Sequence, residues 1–236
     1  MGELTGQLAL VTGASRGIGA ATAQALAARG AHVILTGRDT RALESVEEAI
    51  HEAGGKATIA PLDLTEPDAI ARLASAISGR WSALDILVIN AAVLPTLTPV
   101  IDIDGKALNR ALATNVLATQ ALLACFHPML KRSSDARVIG LTTSVAPSPR
   151  AFWGAYGATK AAQEVLLDCY AQENRNISKI RVAIVNPGAT RTALRARAYP
   201  GENPASVKGP EVVGEAIAAL VSGDFPSPYR VDVNPN

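Results

Sequence analysis

The sequence predicts an α/β fold, a doubly wound and mostly parallel sheet with helices on both faces. Short runs rich in Val, Ile and Leu alternate with longer Ala- and Leu-rich segments of helical periodicity. Small residues follow several of the short runs, at the strand ends where open parallel sheets bind ligands. With 236 residues, 48% of them apolar, we expect one domain over residues 1–236.

Composition argues against several classes of protein. The net charge is +1, from 22 basic and 21 acidic residues, and the chain has no basic run, which disfavours a nucleic-acid partner. No apolar run approaches the roughly 20 residues of a membrane span, so we expect a cytoplasmic protein without a membrane partner. Cys125 and Cys169 lack metal or redox spacing, and we expect no metal site.

A glycine-rich turn lies between the first predicted strand, residues 7–12, and the helical segment 20–29. The turn contains Gly13, Gly17 and Gly19. Glycines let the backbone close tightly, and the free N–H groups at a helix start suit a pyrophosphate. The spacing differs from the common Gly-x-Gly-x-x-Gly, yet its position directly after a buried strand favours a nucleotide site.

The second predicted strand, residues 31–36, ends where a dinucleotide fold meets the adenosine ribose. An acidic residue there would accept the ribose hydroxyls and repel a 2′-phosphate. This chain instead has Gly37 and Arg38, with a second cation at Arg16. Both cations favour a 2′-phosphate, so we expect NADP(H) to be preferred, with NAD(H) possible. The alternative is that Arg38 is a solvated residue at the start of the helix 39–53.

The next two strands are predicted at residues 56–62 and 84–89, with a helix at 66–77 between them. Asp63 follows the first, and we expect it to contact the adenine amino group. Small residues, Asn-Ala-Ala at 90–92, follow the second, which is a continuous apolar run typical of a central parallel strand.

A single long helix is predicted over residues 105–130, and Asn115 lies within its apolar stretch. A buried asparagine needs hydrogen-bond partners. It therefore either supports the backbone or joins a polar site, and periodicity favours neither.

Tyr156 and Lys160 lie at the start of the helical segment 155–173, after a fifth strand at 137–142. Their spacing of four puts both side chains on one helix face, about one turn apart. A free tyrosine, with a pKa near ~10, is a poor acid or base at neutral pH. An ammonium ~4 Å away contributes at most about three pKa units. We therefore expect Lys160 to lower the pKa of Tyr156; an ordinary exposed helix pair is the alternative.

The last part of the chain contains a sixth strand at 180–185, a helix at 211–221 and a strand at 229–233. The segment between, about 189–209, is rich in Pro and polar residues, and we expect it to form a substrate lid.

In combination these residues resemble the short-chain dehydrogenase/reductase family over essentially the whole chain. The resemblance implies a Rossmann-type sheet of about seven strands in the order 3-2-1-4-5-6-7. The runs 153–156 and 186–195 resemble those of bacterial oxidoreductases of the YciK type. The matching motifs, in the family's order, are 12–19, Asp63, 90–92, Asn115, a hydroxyl near 143, Tyr156 with Lys160, and 187–192.

By this resemblance the protein is an NADP(H)-dependent oxidoreductase that transfers a hydride between nicotinamide and a carbonyl or alcohol substrate. Tyr156 would be the general acid or base, and Lys160 would lower its pKa and hold the nicotinamide ribose. Asn115 would hold a water linking Lys160 to solvent. The family's subunit pairing implies a homodimer or homotetramer. A nucleotide sensor or structural protein on the same fold, with little catalysis, is the alternative function.

The resemblance also implies a catalytic hydroxyl near the end of the fifth strand, and two residues compete for it. Register, counted thirteen residues back from Tyr156, selects Thr143, whereas the local pattern Ser-Val-Ala selects Ser144. Neighbouring strand residues point to opposite faces, so we expect only one to face the substrate unless a bulge intervenes.

The remaining implied contacts concern the cofactor and the substrate. We expect Thr192 to bind the nicotinamide carboxamide. The walls around the substrate are expected to come from the lid and from Val93, Leu94, Phe152 and Trp153. Ala92 stands where the family has a glycine beside the cofactor. The residues assigned to the cofactor are Gly13, Ser15, Arg16, Gly17, Ile18, Gly19, Arg38, Asp63, Leu64, Asn90, Ala91, Ala92, Tyr156, Lys160, Pro187, Gly188, Thr190 and Thr192.

Overall fold

The computed structural model describes residues 2–233, and its seven strands form a single sheet. All neighbouring strands pair in parallel, in the order β3-β2-β1-β4-β5-β6-β7, which confirms the predicted Rossmann-type order. The sheet is therefore fully parallel within this part of the chain. The strands are β1 (Leu8–Thr12), β2 (His32–Gly37), β3 (Lys56–Pro61), β4 (Ile86–Ile89), β5 (Arg137–Leu141), β6 (Arg181–Asn186) and β7 (Tyr229–Asp232).

Helices cover both faces of the sheet. α1, α2 and α8 pack on one face and α3, α5 and α6 on the other, each layer with its own apolar core. None of the helices from residue 2 to residue 233 is long and apolar enough to cross a membrane. The helices are α1 (Gly17–Ala28), α2 (Thr40–Glu52), α3 (Ala69–Ser78), α4 (Gly105–Leu112), α5 (Ala118–Arg132), α6 (Gly154–Asn174), α7 (Ala193–Ala198) and α8 (Pro210–Ser222).

The alternation of side chains along β1 separates the two cores. Ala9 and Val11 point towards α1 and α8, whereas Leu8 and Leu10 point towards α3, α5 and α6. Both faces are covered, so the strand is apolar at every position before Thr12. This burial holds the carboxyl ends of the central strands rigidly at one edge of the sheet.

The predicted single helix over residues 105–130 is wrong in one respect. A π-helical turn, Ala113–Leu117, separates α4 from α5, and the N–H of Ala118 donates to the carbonyl of Ala113. The wider turn admits one extra residue, which orients Asn115 inward (0% exposed) while Leu117 remains 64% exposed. Such turns are frequent at functional sites.

Two helices begin elsewhere than expected. α1 begins at Gly17 because Arg16, with extended backbone, is its N-cap, so the glycine-rich turn includes the first helical turn. α3 begins at Ala69 because Asp68 has the left-handed conformation, φ 57°, which interrupts a helix. The segment expected to be a lid contains α7 and a short 3₁₀ turn, Pro204–Ser206.

Candidate active site

A cleft of about 1380 Å³ opens at the carboxyl ends of the strands. Among the predicted residues, four do not line it, and their contacts are described below: Gly19, Leu94, Asn115 and Phe152. The predicted residues that line it are Gly13, Ser15, Arg16, Gly17, Ile18, Arg38, Asp63, Leu64, Asn90, Ala91, Ala92, Thr143, Ser144, Tyr156, Lys160, Pro187, Gly188, Thr190 and Thr192.

The glycine-rich turn has a conformation that side chains would disturb. Gly13 and Gly17 have positive φ angles of 66° and 58°. Gly19 lies behind the turn, where an added Cβ would be 2.2 Å from the carbonyl oxygen of Gly13 and 2.5 Å from Nδ2 of Asn90. Gly19 therefore permits close packing beneath the turn, while the N–H groups at the start of α1 face the cleft.

Thr12 and Asn90 join the turn to the end of β4. The Thr12 hydroxyl donates to Val88 O (3.2 Å) and accepts from the N–H groups of Asn90 (3.0 Å) and Ala91 (3.1 Å). The Asn90 amide donates to Thr12 O at 2.9 Å and to Gly13 O at 3.2 Å. These contacts hold the two strand ends together at the floor of the cleft.

One end of the cleft carries two exposed arginines, Arg16 and Arg38. The Arg38 guanidinium lies 3.9 Å from the Asp63 carboxylate, and its side chain is 70% exposed. Asp63 accepts from the hydroxyl (2.7 Å) and the N–H (2.9 Å) of Thr65, and these hydrogen bonds lower the pKa of its carboxyl. A carboxylate is thus held beside a cation that retains freedom to move.

Tyr156 and Lys160 lie on one face of α6, but their contacts differ from the expected ones. Lys160 is 1% exposed, and its ammonium donates to Leu141 O and to the side-chain oxygen of Gln163, both at 2.7 Å. Burial lowers the pKa of Lys160 to about 7, against the opposing charge of Glu164. Burial raises the pKa of Tyr156, so the expected lowering by Lys160 is wrong for this structure: desolvation disfavours the phenolate.

A chain of hydrogen bonds leads from Lys160 to the π-helical turn. Gln163 donates from Nε2 to the Thr119 hydroxyl at 3.2 Å, and that hydroxyl donates to Asn115 O at 3.0 Å. Thr119 and Gln163 are each 1% exposed. Every donor in the chain points from Lys160 towards Asn115.

The Asn115 side chain supports the backbone. Its Oδ1 accepts from Val93 N (2.8 Å), and its Nδ2 donates to Val93 O (3.0 Å) and to the Thr159 hydroxyl (2.9 Å). Its carbonyl accepts from Thr119. Of the two interpretations left open by the sequence, these contacts favour backbone support. The main-chain carbonyl of Asn115 accepts one hydrogen bond from Thr119 and has a second lone pair, so the water-holding role expected of Asn115 stays a prediction.

The candidate hydroxyls follow β5. Thr142 is buried, and its hydroxyl donates to Glu164 on α6, so that hydroxyl is already occupied. Thr143 and Ser144 both line the cleft. Ser144 Oγ accepts from the guanidinium of Arg150 at 3.3 Å. Thr143 has no side-chain hydrogen bond within the described part of the chain, so its hydroxyl is available to a ligand.

Aromatic and apolar side chains enclose the end of the cleft near Tyr156. Trp153 lies between Tyr156 and Tyr199, with ring centroids 6.1 Å and 5.8 Å away. Leu94 and Leu194 belong to the same apolar cluster. Phe152 was expected to form part of the wall around the substrate, but it is not among the lining residues. Its backbone has φ 71°, and its side chain turns outward and is 56% exposed.

The segment after β6 begins directly over the glycine-rich turn. A Cβ added to Gly17 would lie 3.4 Å from Thr192 Cγ2. The Thr192 hydroxyl caps α7 by accepting from Arg195 N at 3.1 Å. Further along, the Arg195 guanidinium binds Glu202 through two hydrogen bonds of 2.7 and 2.5 Å and stacks on Tyr199. These contacts give the segment a defined conformation.

Three residues of the site were missed by the sequence analysis. Gln163 is three residues after Lys160, and Thr119 is four after Asn115, so helical spacing could have found both. Arg150 lies in an irregular loop, and no spacing rule connects it to Ser144.

Comparisons with known proteins identify the family. The short chain dehydrogenase family matches residues 7–203. The oxidoreductase YciK of Escherichia coli K12, whose function is uncharacterized, is 35% identical over 94% of this chain and 88% of its own length.

Solved structures agree with this match. A short chain dehydrogenase of Pseudomonas syringae is 37% identical with a TM-score of 0.93, covering 98% of this chain and 96% of that one. A short chain dehydrogenase of Escherichia coli CFT073, complexed with NADPH, is 33% identical with a TM-score of 0.92, covering 98% of each chain. The chain therefore belongs to the short-chain dehydrogenase/reductase family and is an NAD(P)-dependent oxidoreductase similar to YciK.

Proposed function

We propose that the protein is an NADP(H)-dependent oxidoreductase that interconverts a carbonyl and an alcohol, with Tyr156 as the general acid or base. The observation that supports this most is that one cleft joins the glycine-rich turn to Tyr156, Lys160 and the Thr143 hydroxyl. Binding and acid–base groups thus line a single site, as hydride transfer requires.

The residues of the turn fit a dinucleotide. An added Cβ at Gly13 would lie 3.0 Å from Ala91 Cα, so this backbone approaches its neighbours, and would approach a ligand, only as glycine. The N–H groups at the start of α1 are oriented to bind a pyrophosphate. NADPH, when bound, supplies the hydride that the carbonyl carbon receives.

The two arginines at the adenosine end support a preference for NADP(H). A 2′-phosphate carries negative charge that guanidinium groups bind through charge-assisted hydrogen bonds. Arg38 is exposed and held only at 3.9 Å from Asp63, so it can turn towards a phosphate. The similar Escherichia coli CFT073 structure was solved with NADPH, which agrees with this preference.

Tyr156 is suited to donate a proton during reduction. Because burial raises its pKa, the phenol keeps its proton at neutral pH and can transfer it to the carbonyl oxygen. Thr143 donates a hydrogen bond to the same oxygen. In the oxidation direction the phenol must lose its proton, so the rate should rise with pH.

Lys160 supplies a positive charge on the same helix face and holds the nicotinamide ribose. Leu141 O and Gln163 occupy two of its donors, which leaves one for the cleft. Its pKa of about 7 makes the charge dependent on pH in the physiological range.

We also propose that residues 189–209 close over the substrate and that the protein is a homodimer or homotetramer. Leu117 and Val165, on the helices that pair between subunits in this family, are 64% and 60% exposed. Light scattering at micromolar concentration measures the assembly, and a monomer would contradict it. The cytoplasmic location expected from the sequence stays a prediction.

A Tyr156→Phe variant tests the mechanism. We expect turnover to fall about 10³-fold, because the acid is lost, while the Kd for NADPH changes less than about twofold. Turnover is first established by screening ketones and alcohols with NADPH and NADP⁺ at the nicotinamide absorbance. An active Phe variant would refute the role of Tyr156. If binding occurs and no ketone or alcohol is turned over, the sensor alternative is favoured.

A further inference from the structure

The charge lining the cleft is uneven. Six lining side chains are cationic and two are carboxylates, although the chain as a whole carries a net charge of only +1. Both carboxylates, Asp39 and Asp63, are at the adenosine end, after β2 and β3. The substrate end therefore presents cations and aromatic rings, with no carboxylate among the lining residues that the structure describes.

Arg150 is an exposed cation at that end. Of the other cations at this end, Arg195 is paired with Glu202 and stacked on Tyr199, and Lys160 is buried and held by Leu141 O and Gln163. Arg150 donates only to the uncharged Ser144 hydroxyl and forms no ion pair with any residue from 2 to 233. A guanidinium has five donors, so most of those on Arg150 are available to a ligand.

The loop that carries Arg150 has a defined shape. Two prolines, Pro147 and Pro149, restrict its backbone, and Trp153 N donates to Arg150 O at 3.2 Å. Phe152 adopts φ 71°, a conformation that costs free energy in a residue with a side chain. Strain of this kind concentrates at functional sites, and here it orients the loop that joins the candidate hydroxyls to Tyr156.

We propose that the substrate is an oxo acid, or the matching hydroxy acid, whose carboxylate binds Arg150 while its hydrocarbon part packs against Trp153 and Leu194, which both line the cleft. Arg150 contacts the residue next to Thr143, so a short carbon chain separates the carboxylate from the reacting carbonyl. Guanidinium and carboxylate groups match in geometry and charge. This inference rests on the proposed function.

The proposed reaction leaves the carboxylate unchanged. During reduction the carbonyl carbon gains a hydride from NADPH, the carbonyl oxygen gains the proton of Tyr156, and solvent returns a proton to the phenol. Arg150 changes no bond in this sequence. It is a specificity-determining residue, and its removal should weaken binding of the acid much more than it slows the chemical step.

Two aryl oxo acids with their methyl esters test the proposal, because each ester replaces the carboxylate by a small neutral group and keeps the ketone and the aryl ring. The probes are benzoylformate and 4-oxo-4-phenylbutanoate, assayed with NADPH. We expect the wild type to reduce at least one acid with a kcat/KM about tenfold or more above its ester. In Arg150→Ala the acid should lose about 30-fold or more in kcat/KM, mainly through KM, while the ester changes less than about threefold.

Two further variants make the result specific. Arg150→Lys keeps the charge without the fork of donors, so it should restore part of the acid's kcat/KM. Arg175→Ala removes one positive charge at an exposed site directly after α6, outside the residues lining the cleft, and should leave the kinetics of both substrates unchanged. Benzoate, as an unreactive acid, should inhibit the wild type more strongly than Arg150→Ala, and benzamide should not distinguish them.

The outcomes separate this inference from the proposed function. If the esters or neutral ketones are reduced and the acids show no preference, or if the preference survives in Arg150→Ala, the inference is wrong while the oxidoreductase function stands. If NADPH reduces none of these carbonyl compounds and none from the wider screen, both proposals fail.

Discussion

The two ends of the cleft are constructed differently. At the nucleotide end the backbone forms the site: glycines with positive φ, the N–H groups of α1, and the Thr12–Asn90 link between β1 and β4. At the substrate end side chains form it: aromatic rings, an unpaired arginine and a lysine held by a glutamine. A site formed by the backbone tolerates almost no added atoms, whereas a single substitution changes the chemistry of a site formed by side chains. Variants at the two ends should therefore have different effects.

The largest effect is expected at the nucleotide end. In Gly19→Ala the new Cβ would approach Gly13 O at 2.2 Å, so the turn must move. We expect NADPH affinity to fall about 100-fold and the free energy of unfolding to fall by about 2 kcal/mol. Gly105→Ala is the matched control, because nothing lies within 4 Å of its added Cβ. Titration with NADPH and urea unfolding measure both effects, and an unchanged Gly19 variant would contradict the close packing.

The next effect distinguishes the two hydroxyls at the substrate end. Thr143→Ala should lower kcat about 100-fold, since it removes a donor to the reacting oxygen. Ser144→Ala loses only the hydrogen bond with Arg150 and should change kcat less than about fivefold. NADPH binding should be unaffected in both variants. The reverse order of effects would assign the catalytic role to Ser144.

A charge reversal at the adenosine end should have an intermediate effect. In Arg38→Asp we expect the Kd for NADPH to rise about 30-fold while that for NADH changes little, because only NADPH carries the 2′-phosphate. Arg41→Asp introduces the same charge change at an exposed position of α2 outside the lining residues. Equal losses of NADPH affinity in the two variants would mean that Arg38 does not bind the 2′-phosphate.

The smallest effect concerns the pH dependence set by Gln163. The charge on Lys160, with its pKa of about 7, should be lost as the pH rises, so kcat/KM for reduction should decline above this value. Gln163→Glu adds an anion beside the ammonium and should move the decline about one unit upward. Gln163→Leu removes an acceptor and should move it downward. A pH–rate profile unchanged in both variants would contradict the role of Gln163.

The sequence predicted the nucleotide end more fully than the substrate end. The individual strands and the glycine-rich turn were predicted because strand and helix periodicity, and the conformational freedom of Gly13, are local properties, whereas the strand order was implied by the resemblance to the family. The partners of Asn115 were not, because Val93 and Thr159 are 22 and 44 residues away along the chain. Helical spacing predicted that Lys160 interacts with Tyr156. Helical spacing also allows Lys160 to contact Gln163, and only the packing of the folded chain distinguishes the two partners.

What the sequence determined by itself is the alternating fold, the position of the glycine-rich turn and the common helix face of Tyr156 and Lys160. These follow from residue periodicity and backbone freedom, which act over a few residues. The tertiary structure decided which groups hold Lys160, that burial raises the pKa of Tyr156, and that Arg150 contacts Ser144. Those depend on desolvation and on contacts between separate elements, which exist only once the sheet and helices have packed.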